Sequence, residues 1–351
     1  MSSGAPVERG TPIRQPAVAL LCANSDDAYR FDASGYRADN NTPASLLINN
    51  QTPLLFGYMT RISLTEVNMA WATPNVNARN NTLTIGIKDS SGNDKGIYRV
   101  SLTESFYTPI ELASALETAL ENLSISGEKV AWTVTYIPYS SVFQIEIGLP
   151  PSSTVYYWKI VPGNGNYTIV GTATDMSGGT AVTGPVSDDL TYMMGLTPPA
   201  DSSVLYYDRI TSGFASMQYT PYVDIVSRIL TKNQNVRDGD TTKSNGPSKL
   251  ARIYLSQPGC NNLFDVDASG NVTGKCNIVG CRPFILNREF NTPKVISWNT
   301  TENVDIIDIQ VLDRLGFPIY IEPFVINSVP NDDLILGNTA SFQFTIQATE
   351  T

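Results

Sequence analysis

The chain has 351 residues, 42% hydrophobic and 16% charged, and its 12 Phe, 17 Tyr and 4 Trp can fill a sizeable core without a metal or disulfide scaffold. A formal charge of −10 and a pI near 4.6 exclude wrapping of nucleic acid, which needs clustered Lys and Arg to displace counterions. The absence of histidine removes the commonest general base and the commonest metal ligand, and with them every triad built on imidazole.

Residues 1 to about 45 hold Pro6, Pro12, Pro16 and Pro43 among small polar residues without a sustained period, which predicts an N-terminal arm that needs a partner to become ordered. Within it the apolar run Ala17–Ala23 imitates a short secretory signal. Pro16 before it and Asn24 to Asp27 after it argue against that. Regular structure is expected from Leu54. Ile62 and Leu64 alternate with polar neighbours, then Val67, Met69 and Trp71 do so in the opposite phase. A phase slip inside a strand predicts a β-bulge between Leu64 and Val67.

Leu83, Ile85 and Ile87, then Ile97 to Val100, flank the turn residues Asp89-Ser90-Ser91-Gly92-Asn93 and predict a hairpin. Thr108 and Pro109 offer an N-cap and a first-turn proline for a helix carrying Glu111 and a stripe of Leu112, Ala115, Leu116, Ala119 and Leu120. Strands are expected at Val130–Tyr136, Val142–Ile147 and Val155–Val161, before a Gly- and Thr-rich segment from Gly163 to Pro185, and the region of about 150–200 around it reads as an inserted excursion. Further candidates are Val204–Tyr206, Val223–Leu230, Ala251–Leu255, Val279–Leu286, Ile306–Leu312, Pro318–Ile321 and Ser341–Ile346. In the strand at 306–312 the alternation puts Ile307, Ile309 and Val311 on the core face, with Leu315-Gly316 in the following turn. Many short strands and one good helix describe an all-β protein: sandwich, barrel or jelly roll. No stretch approaches the roughly 18 to 20 apolar residues of a membrane helix.

Catalytic options reduce to carboxylates. Asp188-Asp189, Asp332-Asp333, and Asp305 with Asp308 are the pairs a glycan hydrolase would need, but adjacent acids of this kind are ordinarily solvated surface or loop residues. Asp265-Val266-Asp267-Ala268-Ser269-Gly270-Asn271 starts like a calcium loop and then fails, because its twelfth position is Cys276 instead of a bidentate glutamate. Cys22 stands alone. Cys260, Cys276 and Cys281 fit reduced thiols, a Cys276–Cys281 bridge, or a three-thiolate site completed by Asp265 or Asp267. The aromatic groups Tyr156-Tyr157-Trp158 and Tyr206-Tyr207 suit a core, an interface or a sugar platform. There is no phosphate loop or dinucleotide fingerprint. The chain is therefore expected to be non-enzymatic, with no catalytic, cofactor-binding or metal site and no cofactor.

Three stretches resemble the jelly-roll penton capsid proteins of polinton-like viruses and virophages. The first is Pro53–Tyr58 running into Ile62–Met69 and Trp71, followed by Pro74–Asn77 and Asn80–Leu83. The second is Phe106-Tyr107-Thr108-Pro109 with Glu111, Leu112 and Leu116. The third is Pro293-Lys294 with Trp298, then Ile306–Gly316 and Pro318–Tyr320. This resemblance implies a single jelly-roll β-sandwich with elaborated loops over residues 46–351, one or two short helices, and an arm over residues 1–45. It implies a structural virion protein that forms a homopentamer at the fivefold vertex of an icosahedral DNA virus capsid. Its partners would be neighbouring major capsid protein capsomers and minor capsid proteins, without direct nucleic-acid binding. The protein would be made and assembled inside the host cell and reside at the capsid vertex. The residues also leave open a minor or cement capsid protein, and a carbohydrate-binding or adhesion module.

Overall fold

The computed structural model describes residues 18–24, 45–49, 61–71, 73–149, 154–162, 167–176, 190–196, 206–232, 249–255, 284–298, 306–314, 316, 319 and 342–350. Two compact units emerge: unit 1 comprises Met1–Ala70, Asp224–Ile253 and Ile285–Thr351, and unit 2 comprises Trp71–Val223 and Tyr254–Phe284. In chain order, β1 (Val18–Asn24), β2 (Ser45–Asn49) and β3 (Arg61–Trp71) come first. Next are β4 (Thr82–Asp89), β5 (Asp94–Ser101), α1 (Pro109–Glu121), β6 (Ser124–Ile125), β7 (Glu128–Lys129), β8 (Trp132–Ile137) and β9 (Val142–Ile147). They are followed by β10 (Tyr156–Ile160), β11 (Ile169–Thr174), α2 (Leu190–Met194) and β12 (Arg209–Thr211). The chain continues with β13 (Tyr222–Val226), β14 (Lys249–Tyr254), β15 (Phe284–Glu289), β16 (Val295–Ser297), β17 (Ile306–Leu312) and β18 (Phe342–Thr349).

The fold is all-β, and unit 1 has the strand order of a jelly roll. One sheet runs β1-β18-β3-β15, with β16 also on β3, and the other runs β14-β13-β17-β2. Leaving aside the short β16, the first strand pairs with the eighth, the second with the seventh, the third with the sixth and the fourth with the fifth. That nesting is how a jelly roll folds a long antiparallel ribbon into two sheets. The third and fourth strands, β3 and β13, are separated in sequence by the whole of β4 to β12.

The bulge expected in β3 is present. Glu66 pairs with Thr345 and Leu64 with Ile346, so Thr65 is the extra residue. Its hydroxyl donates to Thr345 O at 3.1 Å, and its carbonyl accepts the N–H of Phe290 at 2.9 Å. The extra residue keeps Ile62 and Leu64, and then Val67 and Met69, buried on one face, with Ala348, Ile346 and Phe344 buried on the neighbouring strand. In β17 the facing is as the alternation predicts: Ile307, Ile309 and Val311 are buried, and the residues between them are half-buried. A turn follows, with Gly316 at φ +83° donating to Asp313 O, and Ile319 N–H donates to Val311 O. The strand expected at 318–321 lies, apart from Ile319, outside the described residues.

Two expected elements differ. The strand expected over Val223–Leu230 stops at Val226, because Ser227 Oγ accepts the N–H of Leu230 and bends the chain into a turn. The strand expected at 204–206 is found further on as β12, while Tyr207 forms a two-way bridge to Trp158. Inside the segment expected to be an arm, Val18–Asn24 is β1 and pairs with β18 along its whole length.

Unit 2 is built on the sheet β10-β4-β5-β11, in which β11 runs parallel to β5, and on the sheet β12-β9-β8. Helix α1 starts where the sequence predicts. Thr108 Oγ1 accepts Glu111 N–H at 3.2 Å, and the Glu111 carboxylate accepts Thr108 N–H at 2.8 Å, a reciprocal capping box. Leu112, Leu116, Ala119 and Leu120 are buried in one core with Leu83, Ile85, Trp132, Phe143, Ile145 and Trp158.

Candidate functional site

Of the carboxylates offered as catalytic pairs, Asp308 is described and Asp188, Asp189, Asp305, Asp332 and Asp333 lie outside the described residues. Asp308 is committed to backbone. Its oxygens accept the N–H groups of Arg228 and Ile229 at 3.0 Å each and the hydroxyl of Ser227. A carboxylate that accepts two amides and a hydroxyl in this way clamps a turn. The calcium-like stretch 265–276 and Cys260, Cys276 and Cys281 also lie outside the described residues. Cys22 is exposed on β1, its Sγ 4.0 Å from Thr345 Oγ1. Among the described residues no cluster of three acidic or sulfur ligands is placed to hold a metal.

The Asp89–Asp94 loop is the turn its sequence predicts. The Asp89 carboxylate accepts the backbone N–H of Ser91 at 3.0 Å and of Asn93 at 2.9 Å, with Asn93 Nδ2 at 3.0 Å and Lys95 Nζ at 3.1 Å. The Asn93 side chain, the Asn93 backbone and Lys95 favour the anion, and they hold its pKa down at about 2 against the opposing effect of burial. A second carboxylate, Asp175, accepts Tyr107 OH at 3.1 Å and the Thr103 N–H at 2.9 Å, fastening the segment after β5 to the end of β11. Burial first, and then the Asp175 charge, push the Tyr107 phenol up. Both acids act as structural clamps.

The aromatic groups divide. Tyr156 and Trp158 are core residues, with Trp158 edge-on to Trp132 at a centroid distance of 5.6 Å. Tyr206 is half-buried between two ammonium groups, Lys88 Nζ at 4.6 Å and Lys159 Nζ at 4.8 Å from its ring centre. A cleft in unit 2 lined by Trp71, Asn75, Gln218, Tyr219 and Leu255 holds about 10 Å³ of water-sized space, the lower limit for a single water and far below a ligand site.

What unit 2 does present is an aromatic end that sequence reasoning missed. Tyr139 is 90% exposed in the β8–β9 turn, Phe214 is 75% exposed in the loop after β12, and Tyr192 on α2 is 47% exposed. The three segments are fastened to one another: Ala215 N–H donates to Ser141 O, Ser216 N–H to Met193 O and Gly213 N–H to Gly195 O, each at 2.8 Å. Gly195 has φ +70°, and a Cβ there would run into the carbonyl oxygen of Phe214, so the close approach requires glycine. Three exposed rings are thus carried on segments held to one another by backbone bonds. The available signal was each ring's flanks, Pro138 and Ser140 around Tyr139, and Gly213 and Ala215 around Phe214. Turn residues bracketing a lone aromatic leave it no strand face to bury.

Among the described residues, β1 is the edge strand of its sheet in unit 1, with Val18 and Leu20 exposed by 59% and 66%.

No protein-family model matches the chain, and no curated protein matches it. Among solved structures it is similar to a mavirus penton protein, crystallised in selenomethionine-labelled form. The TM-score is 0.47 and the identity 12%, over 95% of this chain and 100% of that one.

Proposed function

We propose that the chain is a structural, non-enzymatic virion protein, a penton capsid protein that forms the pentameric fivefold vertex of an icosahedral DNA virus capsid. The observation that carries this reading is the jelly-roll strand nesting of unit 1, taken together with the three sequence stretches that resemble virophage and polinton-like penton proteins. Fold alone does not assign function, and the resemblance supplies the class. The chemistry is compatible. The carboxylates of Asp89 and Asp308 clamp turns, and a net charge of −10 suits a shell component that leaves the genome to others. Five copies related by rotation meet through heterologous contacts, one flank against the opposite flank of the next. The partners in this reading are neighbouring major capsomers and minor capsid proteins.

Mass photometry or sedimentation of the purified protein tests this. The expected particle has five times 38.2 kDa. A strict monomer at every concentration would instead favour a carbohydrate-binding module, for which exposed Tyr139, Phe214 and Tyr192 are the candidate platform.

A further inference from the structure

The strand that completes the first jelly-roll sheet is anchored by its backbone ladder and by a short apolar row, with Ala19 and Leu21 half-buried and Ala23 buried. β1 pairs with β18 from Val18 opposite Thr349 to Asn24 opposite Gln343, and among the described residues it has no second neighbour in that sheet. Of its side chains only Ala23 is buried, while Val18, Leu20 and Cys22 are exposed. The sequence Val18–Asn24 has no charge and no proline, the devices by which a free edge strand ordinarily protects itself. Residues 25–44, twenty in number, connect β1 to β2. Twenty residues reach up to roughly 70 Å when extended, and a compact unit of about 150 residues is roughly 40 Å across.

We propose that β1 is exchanged between neighbouring copies, so that Val18–Asn24 of one chain adds to the β18 edge of the next. The proposal rests on the ring assembly proposed above and names the segment that links its members. The backbone bonds and the contacts of the alternate row Ala19, Leu21 and Ala23 are the same whichever copy provides the strand, so exchange gives up no contact. A ring places each neighbour's β18 edge within reach of the tether at high effective concentration. It also gives the exposed Val18 and Leu20 a subunit boundary in which to be covered. Each copy donates one strand and accepts one, a head-to-tail relation that closes on itself under rotation.

Cys22 and Thr345 are direct cross-strand partners, which makes the exchange readable as a disulfide. The chain would carry Thr345→Cys with Cys260, Cys276 and Cys281 each changed to Ser, be oxidised mildly, and be resolved on non-reducing gels beside its native mass. Expected are reductant-sensitive covalent multimers of up to five chains, absent when Cys22→Ser is added. A native ring whose disulfides are all within single chains, or a ring with no disulfide, overturns the exchange and leaves the ring standing. A monomer with intrachain bonds overturns the ring and the exchange together. If Thr345→Cys disturbs folding, Leu20→Cys with Gln347→Cys repeats the test two register pairs along, at two positions that are not buried.

Discussion

Ser227 and Asp308, 81 residues apart in sequence, are joined by a hydrogen bond in which the serine hydroxyl donates to the carboxylate, and the same carboxylate receives the N–H groups of Arg228 and Ile229. This contact ties the turn after β13 to β17, the strand beside it in the second sheet of unit 1. Replacing Asp308 with Ala should lower unfolding free energy by about 1.5–3 kcal/mol, the range for hydrogen bonds to a charged group. Urea denaturation measures it. An unchanged midpoint would mean that the carboxylate is free for another role.

Ile309 is 1% exposed at the centre of the buried face of β17. Ile309→Ala should cost roughly 2–5 kcal/mol, the loss of transfer energy plus the cavity left behind. The variant should therefore fail to fold before it fails to assemble. A soluble variant of wild-type stability that does not assemble would put Ile309 at a subunit surface instead.

The α1 capping box gives a smaller, sharper expectation. Thr108→Ala removes the acceptor for Glu111 N–H and should cost about 1 kcal/mol. Thr108→Ser keeps the oxygen and should restore most of the loss. Thermal melts of the two variants separate capping from side-chain packing, since Thr108 is itself buried.

Asp89 has a folded-state pKa of about 2 against an ordinary 3.8. A depressed carboxylate contributes stability above its unfolded pKa and loses it as pH falls toward the folded value. This contribution is therefore complete above about pH 4 and declines from there toward pH 2. Carboxyl carbon NMR against pH should show Asp89 titrating near 2, and Asn93→Ala should raise that midpoint, because the Asn93 side chain is the largest influence holding it down. A wild-type midpoint near 3.8 would contradict the loop geometry.

Local features were legible in the sequence wherever one short stretch carried the whole signal. The bulge at Thr65 was visible as a slip in hydrophobic phase, the α1 start as Thr108, Pro109 and Glu111 in order, and the facing of β17 as strict alternation. Non-local features were not. Nothing in Val18–Ala23 names residues 343–349 as its partner, because an antiparallel pairing across more than 300 residues leaves no local trace. An irregular, proline-containing surround made that apolar run look like part of an arm. The extent of the excursion between β3 and β13 was likewise hidden: the Gly- and Thr-rich stretch pointed to an insertion only at about 150–200, because the strands before it share one alternation with those of unit 1. The aromatic end of unit 2 depends on three separate segments meeting through backbone bonds, so each ring looked like an isolated residue.

The most direct test of the vertex reading is particle symmetry by cryo-electron microscopy of the assembled shell. Density for this chain is expected at the fivefold axes, in rings of five whose contacts are apolar at the centre and poor in Lys and Glu. Density at threefold sites or between major capsomers would contradict it and make the chain a minor or cement component.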